Sequence, residues 1–294
     1  MKQAIITARC TTIAVLALLA GGCDRMVVLN PRGPIADAER GLMIDAFTVM
    51  MIVVVPVIVM ALWFALRYRA SRNARYEPTW AYSAKVDAVV WLIPALIVIA
   101  VAVLLWRSTH KLDPYREIAS NAPPLDVQVV AQDWKWLFIY PEQGVASVNQ
   151  LAIPAGRPIS LRITSDTVMN SFYVPALAGQ IYAMAGMQTR LQLLADQPGK
   201  FVGRNTQYSG GGFSDQFFEV VAMSQADFDA WVAKVRQAPA KLDPPTYAKL
   251  AERSRLNPIT LYSAVEPKLF DAIIDRYTGG HQAHGQASTA PARR

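Results

Sequence analysis

Two long uncharged stretches near the N-terminus restrict the possible folds of this chain more than any other feature. The first comprises 21 residues, from Ala46 to Leu66, and the second comprises 19 residues, from Ala88 to Trp106. An α-helix of roughly 20 apolar residues is long enough to cross the hydrocarbon core of a bilayer. Two buried helices of a soluble protein are a poor alternative at these lengths, so the sequence predicts a transmembrane hairpin.

The loop between the two predicted helices is strongly basic. It contains one acid, Glu77, and four arginines: Arg67, Arg69, Arg72 and Arg75. Because short loops rich in arginine and lysine stay on the cytoplasmic side of a membrane, we expect this loop to face the cytoplasm. Both ends of the mature chain would then lie on the exported side.

The first residues of the chain have the pattern of a secretory signal. Lys2 and Arg9 precede an apolar run from Thr12 to Ala20, and small residues lead up to Cys23, which predicts a signal peptide over 1–22. Its Leu-Ala-Gly-Gly-Cys end resembles a bacterial lipoprotein signal and would make Cys23 the lipidated first residue of the mature protein. An ordinary signal beside a chance cysteine is the alternative. Since the only other cysteine, Cys10, lies inside the signal, the mature chain cannot form an internal disulfide.

The formal net charge of +7 does not indicate a nucleic-acid partner. The excess positive charge is confined to the signal, the arginine-rich loop and the C-terminal Arg293 and Arg294. The rest of the chain is neutral overall, whereas a nucleic-acid-binding domain carries a basic surface of its own.

Beyond the second apolar stretch the pattern becomes that of β-strands. Seven short runs rich in branched and aromatic residues are separated by turn residues. They span 125–131, 134–140, 148–153, 159–164, 171–174, 189–194 and 217–221. So many short strands within about 100 residues predict a β-sandwich or barrel. The pattern alone does not distinguish a cupredoxin from other sandwiches.

A helical pattern follows the strands. Ser224, with Asp227 three residues later, has the arrangement of a capping box and predicts the start of a helix. We expect a second short helix over 247–252 and a third from Pro267 that stops at the Gly279-Gly280 pair. The tail beyond that pair is poor in apolar residues and is predicted to be disordered.

A glycine-rich segment from Asn205 to Gln216 lies between two of the strand-like runs. Aligned on Gly210, it follows the frame Cys-x-Glu-x-Cys-Gly-x-x-His-x-x-Met, which is the binuclear copper loop of cytochrome c oxidase subunit II. The remaining ligand of that centre is a histidine followed by Ser-Phe-x-x-Pro, and here an asparagine precedes Ser171 and Phe172. The six ligand-equivalent positions are therefore Asn170, Asn205, Gln207, Ser209, Phe213 and Gln216.

None of these six positions keeps the copper ligand. A copper–thiolate centre needs soft sulfur donors, and no cysteine occurs after Trp106. The sequence therefore excludes a copper-carrying cytochrome c oxidase subunit and predicts that this chain binds no metal.

The frame around these positions is retained over most of the chain. It includes the strings Asp133 to Trp136, Phe138 to Gly144, Val168 to Phe172 and Gln180 to Arg190. Together with the signal and the hairpin, these strings resemble subunit II of the haem-copper ubiquinol oxidases of the cytochrome bo type. The resemblance implies a membrane-anchored α+β fold with a two-helix hairpin, a cupredoxin-like β-sandwich or barrel and a short helical C-terminal extension.

The predicted organisation has eight segments. They are a signal at 1–22, a periplasmic segment at 23–41, transmembrane helices at 42–66 and 84–107 joined by a cytoplasmic loop at 67–83, a cupredoxin-like domain without copper at 108–223, an aromatic-rich helical extension at 224–278 and a disordered tail at 279–294. The chain would lie in the bacterial inner membrane, with its N-terminus and its large C-terminal domain in the periplasm.

The same resemblance implies a function. Complexes of this family oxidise ubiquinol, reduce oxygen to water and move protons outward, and their haems and copper belong to subunit I. This chain would carry no catalytic centre and no cofactor, and it would contact subunit I, subunit III, the small subunit IV and membrane lipid. A quinol delivers electrons from within the membrane, so cytochrome c is not expected as the donor and a copper relay becomes dispensable.

One aromatic segment is a candidate for contact with subunit I. The predicted docking residues are Trp134, Trp136, Phe138 and Tyr140. In copper-bearing relatives the same segment lies on the electron path, which is the alternative role. Phe213 is expected to fill volume that a ligand and a metal would occupy.

Asp87 is the candidate for a direct part in turnover. It lies one turn before Trp91, where the family usually has a glutamate at the cytoplasmic entrance of a proton channel into subunit I. An interfacial charge without function is the alternative. For the chain as a whole, the alternative function is that of a free-standing membrane lipoprotein with a β-sandwich binding or scaffold domain.

Overall fold

The structure is a computed structural model that describes residues 26–69, 82–120 and 122–285, with side chains described up to residue 278. The predicted signal and Cys23 lie outside these residues, as does most of the arginine-rich loop. The chain divides into two compact units. One is Ala38–Asp113, and the other joins the residues before Ala38 to those from Pro114 onward.

The first unit is built on two long apolar helices. Helix α1 is Pro34–Arg67 and helix α2 is Ala84–Lys111. Each contains one of the uncharged stretches and is long and apolar enough to cross a membrane. Most of their apolar side chains are exposed within the chain, as expected for helices that lipid surrounds. The predicted pair of apolar helices is confirmed.

The second unit is a β-sandwich with a C-terminal extension. Its strands are β1 (Leu125–Gln132), β2 (Lys135–Tyr140), β3 (Val145–Val148), β4 (Gln150–Pro154), β5 (Ile159–Ser165), β6 (Asn170–Tyr173), β7 (Gln180–Ala183), β8 (Thr189–Leu193), β9 (Gly199–Asn205), β10 (Phe217–Met223) and β11 (Thr260–Tyr262). One sheet has the order β11-β3-β2-β1-β5-β8 and the other β4-β10-β9-β6-β7. The pairs β1–β5 and β4–β10 are parallel. The predicted β-sandwich is confirmed.

The predicted strand at 148–153 corresponds to β4 and shares only Val148 with β3, which was not predicted. The two strands belong to different sheets, and the chain crosses between the sheets at Asn149. Asn149 has a φ of 58°, in the left-handed region that asparagine tolerates better than most residues. The strands β7, β9 and β11 were not predicted. In β9, Gly199 and Gly203 interrupt the apolar pattern on which the prediction depended.

Strand β2 lies inside the first sheet and is buried on both faces. Because side chains alternate along a strand, Trp136 and Phe138 pack in the core between the sheets, whereas Leu137 packs against the extension. The rings of Phe172 and Phe218 stack in the same core with 5.0 Å between their centroids. These aromatic rings form the centre of the sandwich.

The extension is partly helical and partly strand. Its helices are α3 (Gln225–Val235), α4 (Pro244–Ala251) and α5 (Leu269–Gly285). Ser224 is the N-cap of α3, as predicted, because its Oγ accepts a hydrogen bond from the Asp227 N–H at 3.1 Å. The predicted helical extension is confirmed, and it also contributes strand β11, which pairs with β3 and forms one edge of the first sheet.

Helix α5 runs past its predicted end. It continues through Gly279 and Gly280 to Gly285, so the predicted stop at this glycine pair is wrong, whereas the predicted disorder of the tail stays a prediction. A glycine weakens a helix by about 1 kcal/mol relative to alanine, but it keeps its backbone N–H and leaves the hydrogen-bond ladder intact. The start of the helix is also held by buried Phe270 and Ile273.

The residues before α1 are bound to the sandwich. The Arg32 N–H donates to the Ala176 carbonyl at 2.7 Å, and the Arg32 carbonyl accepts from the Asp196 N–H at 3.0 Å. A Cβ at Gly33 would overlap the carbonyl oxygen of Leu194, so the close approach needs a glycine. The β-sandwich unit therefore takes in this short segment, which was predicted to be separate from it.

Candidate functional site

The ligand-equivalent positions come from two loops that meet at one end of the sandwich. Asn170 begins β6, and Asn205 ends the neighbouring strand β9. The two strands are antiparallel, with Phe172 opposite Asn205. This register brings the Asn170 and Asn205 side chains within hydrogen-bonding distance. The glycine-rich loop then returns the chain to Gln216, directly before β10.

Four of the six positions form one hydrogen-bonded group, which we name the amide cluster: Asn170, Asn205, Ser209 and Gln216. Asn205 is its centre. The Asn205 Nδ2 donates to Asn170 Oδ1 at 2.7 Å and to Gln216 Oε1 at 2.9 Å. Ser209 Oγ donates to the same Gln216 oxygen at 3.0 Å. The three amide side chains are buried, with exposed fractions of 0%, 5% and 1% in chain order.

The outward contacts of the amide cluster are also made. Asn205 Oδ1 accepts from the backbone N–H of Ser171 at 2.8 Å and of Gln207 at 3.0 Å. Asn170 Nδ2 donates to the Val168 carbonyl at 2.8 Å, and Gln216 Nε2 donates to the Gln132 carbonyl at 3.2 Å. Every amide nitrogen and oxygen in the cluster therefore has a partner, as buried polar groups require.

The other two ligand-equivalent positions lie outside this cluster. Gln207 is half-buried and takes part through its backbone N–H. Phe213 is also half-buried, and its ring contacts exposed Tyr208 with 5.8 Å between centroids. The expectation that Phe213 fills the volume of a metal centre stays a prediction. The amide side chains of the other ligand-equivalent positions hydrogen-bond to one another without it.

Trp134 shapes the glycine-rich loop. Its indole Nε1–H donates to the Ser209 carbonyl at 3.2 Å, and its ring lies against Gly212. A Cβ at Gly212 would overlap the ring, so this approach needs a glycine. Trp134 has a φ of 65° and is half-buried, which leaves part of the ring at the surface. Of the four predicted docking residues, it alone offers exposed area.

The other three predicted docking residues belong to the core. Trp136, Phe138 and Tyr140 have no exposed area. The Tyr140 hydroxyl donates to the Ala152 carbonyl at 3.0 Å and accepts from the Ala152 N–H at 2.9 Å, and burial raises the pKa of this phenol. The prediction that these side chains contact subunit I is therefore wrong, because the β2 alternation turns them inward.

The extension contacts the loop before Asn170 through a buried carboxylate. Asp166 accepts hydrogen bonds from the hydroxyls of Tyr247 and Tyr277, and its Oδ2 lies 3.3 Å from a guanidinium nitrogen of Arg276. We name these four residues the carboxylate cluster. Burial, reinforced by the nearby Asp166 charge, raises the pKa of Tyr247. Sequence reasoning missed this cluster, whose members are 81 or more residues apart from Asp166.

A second set of contacts fixes the loop 252–257 of the extension. Arg253 pairs with Asp133 at 2.7 Å, and Arg255 pairs with Asp215 at 2.6 Å, one residue before Gln216. Lys135 is buried and donates to the Glu252 carbonyl at 2.6 Å; its burial lowers the pKa of the ammonium group. The extension therefore holds both loops that carry the ligand-equivalent positions.

The remaining predicted site residues are placed as follows. Asp87 lies in the first turn of α2 with its side chain exposed, and its N–H donates to the Ser83 carbonyl at 2.9 Å. Cys23 is outside the described residues. Within 26–69, 82–120 and 122–285 no group of three or more histidine, cysteine, aspartate or glutamate side chains could hold a metal ion. The amide cluster itself lacks the sulfur and imidazole donors that a copper centre requires.

Two family models match the second unit. Residues 142–223 match the model described as "Cytochrome C oxidase subunit II, periplasmic domain", and residues 236–281 match the "COX Aromatic Rich Motif". The second match covers most of the extension that packs on the sandwich. The resemblance inferred from the sequence is confirmed for both parts, and the sandwich is cupredoxin-like.

Similar proteins extend the match to nearly the whole chain. "Cytochrome bo(3) ubiquinol oxidase subunit 2" of Pseudomonas putida is 49% identical over 276 residues, covering 92% of this chain and 88% of the relative. The protein of the same name from Pseudomonas aeruginosa is 50% identical, covering 93% and 82%. "Ubiquinol oxidase subunit 2" of Acetobacter aceti is 49% identical, covering 90% and 86%. The chain therefore belongs to the ubiquinol oxidase subunit 2 family.

Proposed function

We propose that this chain is subunit II of a proton-translocating quinol oxidase, which oxidises ubiquinol and reduces oxygen to water. It matches most of the length of relatives that are named as ubiquinol oxidase subunits. In this proposal the chain carries no electrons. It supports the assembly of subunit I, which holds the haems and the copper, and it has subunit III and the small subunit IV as further partners.

The amide cluster is the observation that best supports a subunit without a copper relay. Four positions that supply metal ligands in a copper centre hold neutral side chains here. These side chains form hydrogen bonds with one another. Amide and hydroxyl groups are poor ligands for a copper–thiolate centre. Electrons from a membrane-dissolved quinol need no such relay, and therefore cytochrome c is not the expected donor.

The membrane arrangement follows from the two apolar helices. They form a hairpin in the inner membrane, with the arginine-rich loop in the cytoplasm and the β-sandwich in the periplasm. Cys23 carries lipid in this proposal, although two membrane helices already anchor the chain more firmly than acyl groups do. Mass spectrometry of the mature N-terminus tests the lipid, and an unmodified Cys23 would refute it.

The exposed part of Trp134 is the proposed contact with subunit I, together with the glycine-rich loop beneath it. Asp87 is proposed to collect protons at the cytoplasmic end of α2. Asp87→Asn should then slow quinol oxidation in a complex with normal haem content, and Asp87→Glu should retain activity. Wild-type turnover of the asparagine variant would make Asp87 an interfacial charge.

The proposed function is tested by purifying the full chain from membranes through an affinity tag. We expect a haem-containing membrane subunit to copurify and the preparation to reduce oxygen with ubiquinol. Reduced cytochrome c should not support oxygen reduction. Recovery of the chain without haem, or turnover with cytochrome c, would contradict the proposal.

A further inference from the structure

An exposed apolar groove lies between strands β9 and β10 and the end of the extension loop. It encloses about 360 Å³. Its apolar lining includes Val202, Phe217, Leu256 and Ile259, with exposed fractions of 50%, 54%, 71% and 47%. Large apolar side chains grouped at a surface in this way mark a site of interaction.

Leu256 is the most informative residue of the groove. Its φ of 54° lies in the left-handed region, where the Cβ of an L-residue crowds the following carbonyl oxygen. Because 71% of the residue is exposed, contacts within this chain do little to offset the strain. Glycine or asparagine would take up this conformation more easily, and neither would present an apolar side chain. Strained residues of this kind concentrate at binding sites.

The loop that carries Leu256 is held on both sides. Before it, Arg255 is paired with Asp215 at 2.6 Å. After it, the Asn257 carbonyl accepts a hydrogen bond from Asn149 Nδ2 at 2.9 Å. Leu256 is therefore kept at the surface instead of folding onto the sandwich. A loop whose neighbouring residues are already held loses less conformational entropy when a partner binds it.

Two ion pairs lie beside the groove, and in each pair the cation is the more exposed partner. Arg255 and Lys200 have 54% and 77% of their side chains exposed. Their carboxylate partners, Asp215 and Glu219, line the groove and are only 20% and 29% exposed. A partner therefore meets the cations first. A surface with an apolar centre and cations around it is complementary to an apolar residue among carboxylates.

The shape of the groove distinguishes between classes of partner. A concave site receives a protruding side chain, whereas a bilayer is entered by a protruding loop. A second copy of this chain would bring the same cations against each other in a two-fold pair, which opposes self-association.

We propose that this groove binds an apolar side chain of a different protein, flanked there by acidic residues, with Leu256 as the anchor on this chain. The proposal goes beyond the proposed function, since it depends neither on the electron donor nor on the amide cluster. It assigns the extension a second role as a surface that a partner recognises.

The experiment uses a photo-crosslinking amino acid at Ile259 in the full chain, expressed in its native membranes. We expect one protein adduct, mapping to a segment with an aliphatic or aromatic residue flanked by aspartate or glutamate. Leu256→Asn should lower the adduct yield by about tenfold, because truncating an anchor has effects of this size. Met187→Asn is the matched control, since Met187 is 53% exposed and lies outside the groove.

Thermal unfolding of the two variants completes the test. Leu256→Asn should unfold at the wild-type temperature or above it, because asparagine tolerates the left-handed backbone. The proposal is overturned by an adduct with lipid alone or with a second copy of the chain, by an adduct outside any acidic segment, or by no adduct. An unchanged yield in Leu256→Asn, or a lower unfolding temperature, would also overturn it.

Discussion

The amide cluster and the carboxylate cluster hold neighbouring loops of the same sandwich by different chemistry. The amide cluster joins the start of β6 to the glycine-rich loop through neutral groups, centred on Asn205. The carboxylate cluster joins the loop before β6 to the extension through Asp166, two phenols and a guanidinium group. The amide cluster consists of ligand-equivalent positions, whereas the carboxylate cluster contains none of them.

Hydrogen bonds and ion pairs can hold these loops in place without a metal. In a copper centre, metal–ligand bonds cross-link the two loops. Here hydrogen bonds between amides make the same connection, and the extension adds charged contacts from outside, including Arg255 with Asp215. The amide cluster contains no group that titrates, whereas the carboxylate cluster does. The two clusters should therefore respond differently to mutation and to pH.

The largest expected effect comes from removing the centre of the carboxylate cluster. Asp166→Ala leaves two phenols and the Arg276 guanidinium without their carboxylate, in a site where Asp166 is only 3% exposed. We expect a loss of about 3–5 kcal/mol in the free energy of unfolding of the full chain in detergent, measured with denaturant. Asp196→Ala, at an exposed carboxylate, should change it by less than about 0.5 kcal/mol. Equal effects of the two variants would mean that the extension is not held by Asp166.

The second effect comes from breaking the amide cluster. Asn205→Leu removes the partners of Asn170 Oδ1 and of the Ser171 and Gln207 N–H groups. We expect a loss of about 2–3 kcal/mol in the same measurement, since buried polar groups are left unpaired. Gln207→Ala tests a ligand-equivalent position outside the cluster and should cost less than about 0.5 kcal/mol. A larger loss for Gln207→Ala than for Asn205→Leu would place the structural centre elsewhere.

The third prediction separates the clusters by pH. The raised pKa of Tyr247 means that the folded state keeps the phenol proton after the unfolded state has released it. The stability from Tyr247 is therefore present below pH of about 10 and is lost as the pH rises further, by at most about 1.4 kcal/mol per pH unit. Tyr247→Phe should flatten that decline. The lowered pKa of Lys135 makes stability rise with pH, which is the opposite sign. Lys135 is present in both the wild type and Tyr247→Phe, so it does not affect the difference between them.

Two controls accompany the pH measurement. Tyr208→Phe changes a phenol that is 72% exposed and should leave the alkaline decline as it is. Asn205→Leu should lower stability by the same amount at neutral and alkaline pH, because the amide cluster does not titrate. A pH-dependent cost of Asn205→Leu would show that the two clusters are coupled.

The smallest effect is expected at the exposed ion pair. Arg255→Gln removes the ion pair with Asp215. The Arg255 side chain is 54% exposed. Pairs of this kind contribute about 0.2–1 kcal/mol, and salt weakens them further. Unfolding at low and high salt should show a small difference that disappears at high salt. A loss that persists in high salt would indicate a larger part for Arg255 in holding the glycine-rich loop.

Features that depend on residues close together in the sequence could be predicted, and features that depend on distant residues could not. The helices α1 and α2 and the N-cap at Ser224 depend on neighbouring residues, and they were found from the sequence. The six ligand-equivalent positions were identified because their frame has fixed spacing, although the hydrogen bonds that join four of them were not foreseen. The contacts of Asp166 with Tyr247 and Tyr277 connect residues far apart in the chain, and no local pattern predicts such a pair.

We infer that the amide cluster takes the place of a copper centre in a frame that is otherwise retained. The most direct test adds copper to the purified full chain and to a variant carrying six changes: Asn170→His, Asn205→Cys, Gln207→Glu, Ser209→Cys, Phe213→His and Gln216→Met. We predict no thiolate-to-copper charge-transfer absorption in the wild type and a purple band in the variant, because the two loops already bring the positions together. A purple band in the wild-type chain would contradict the account.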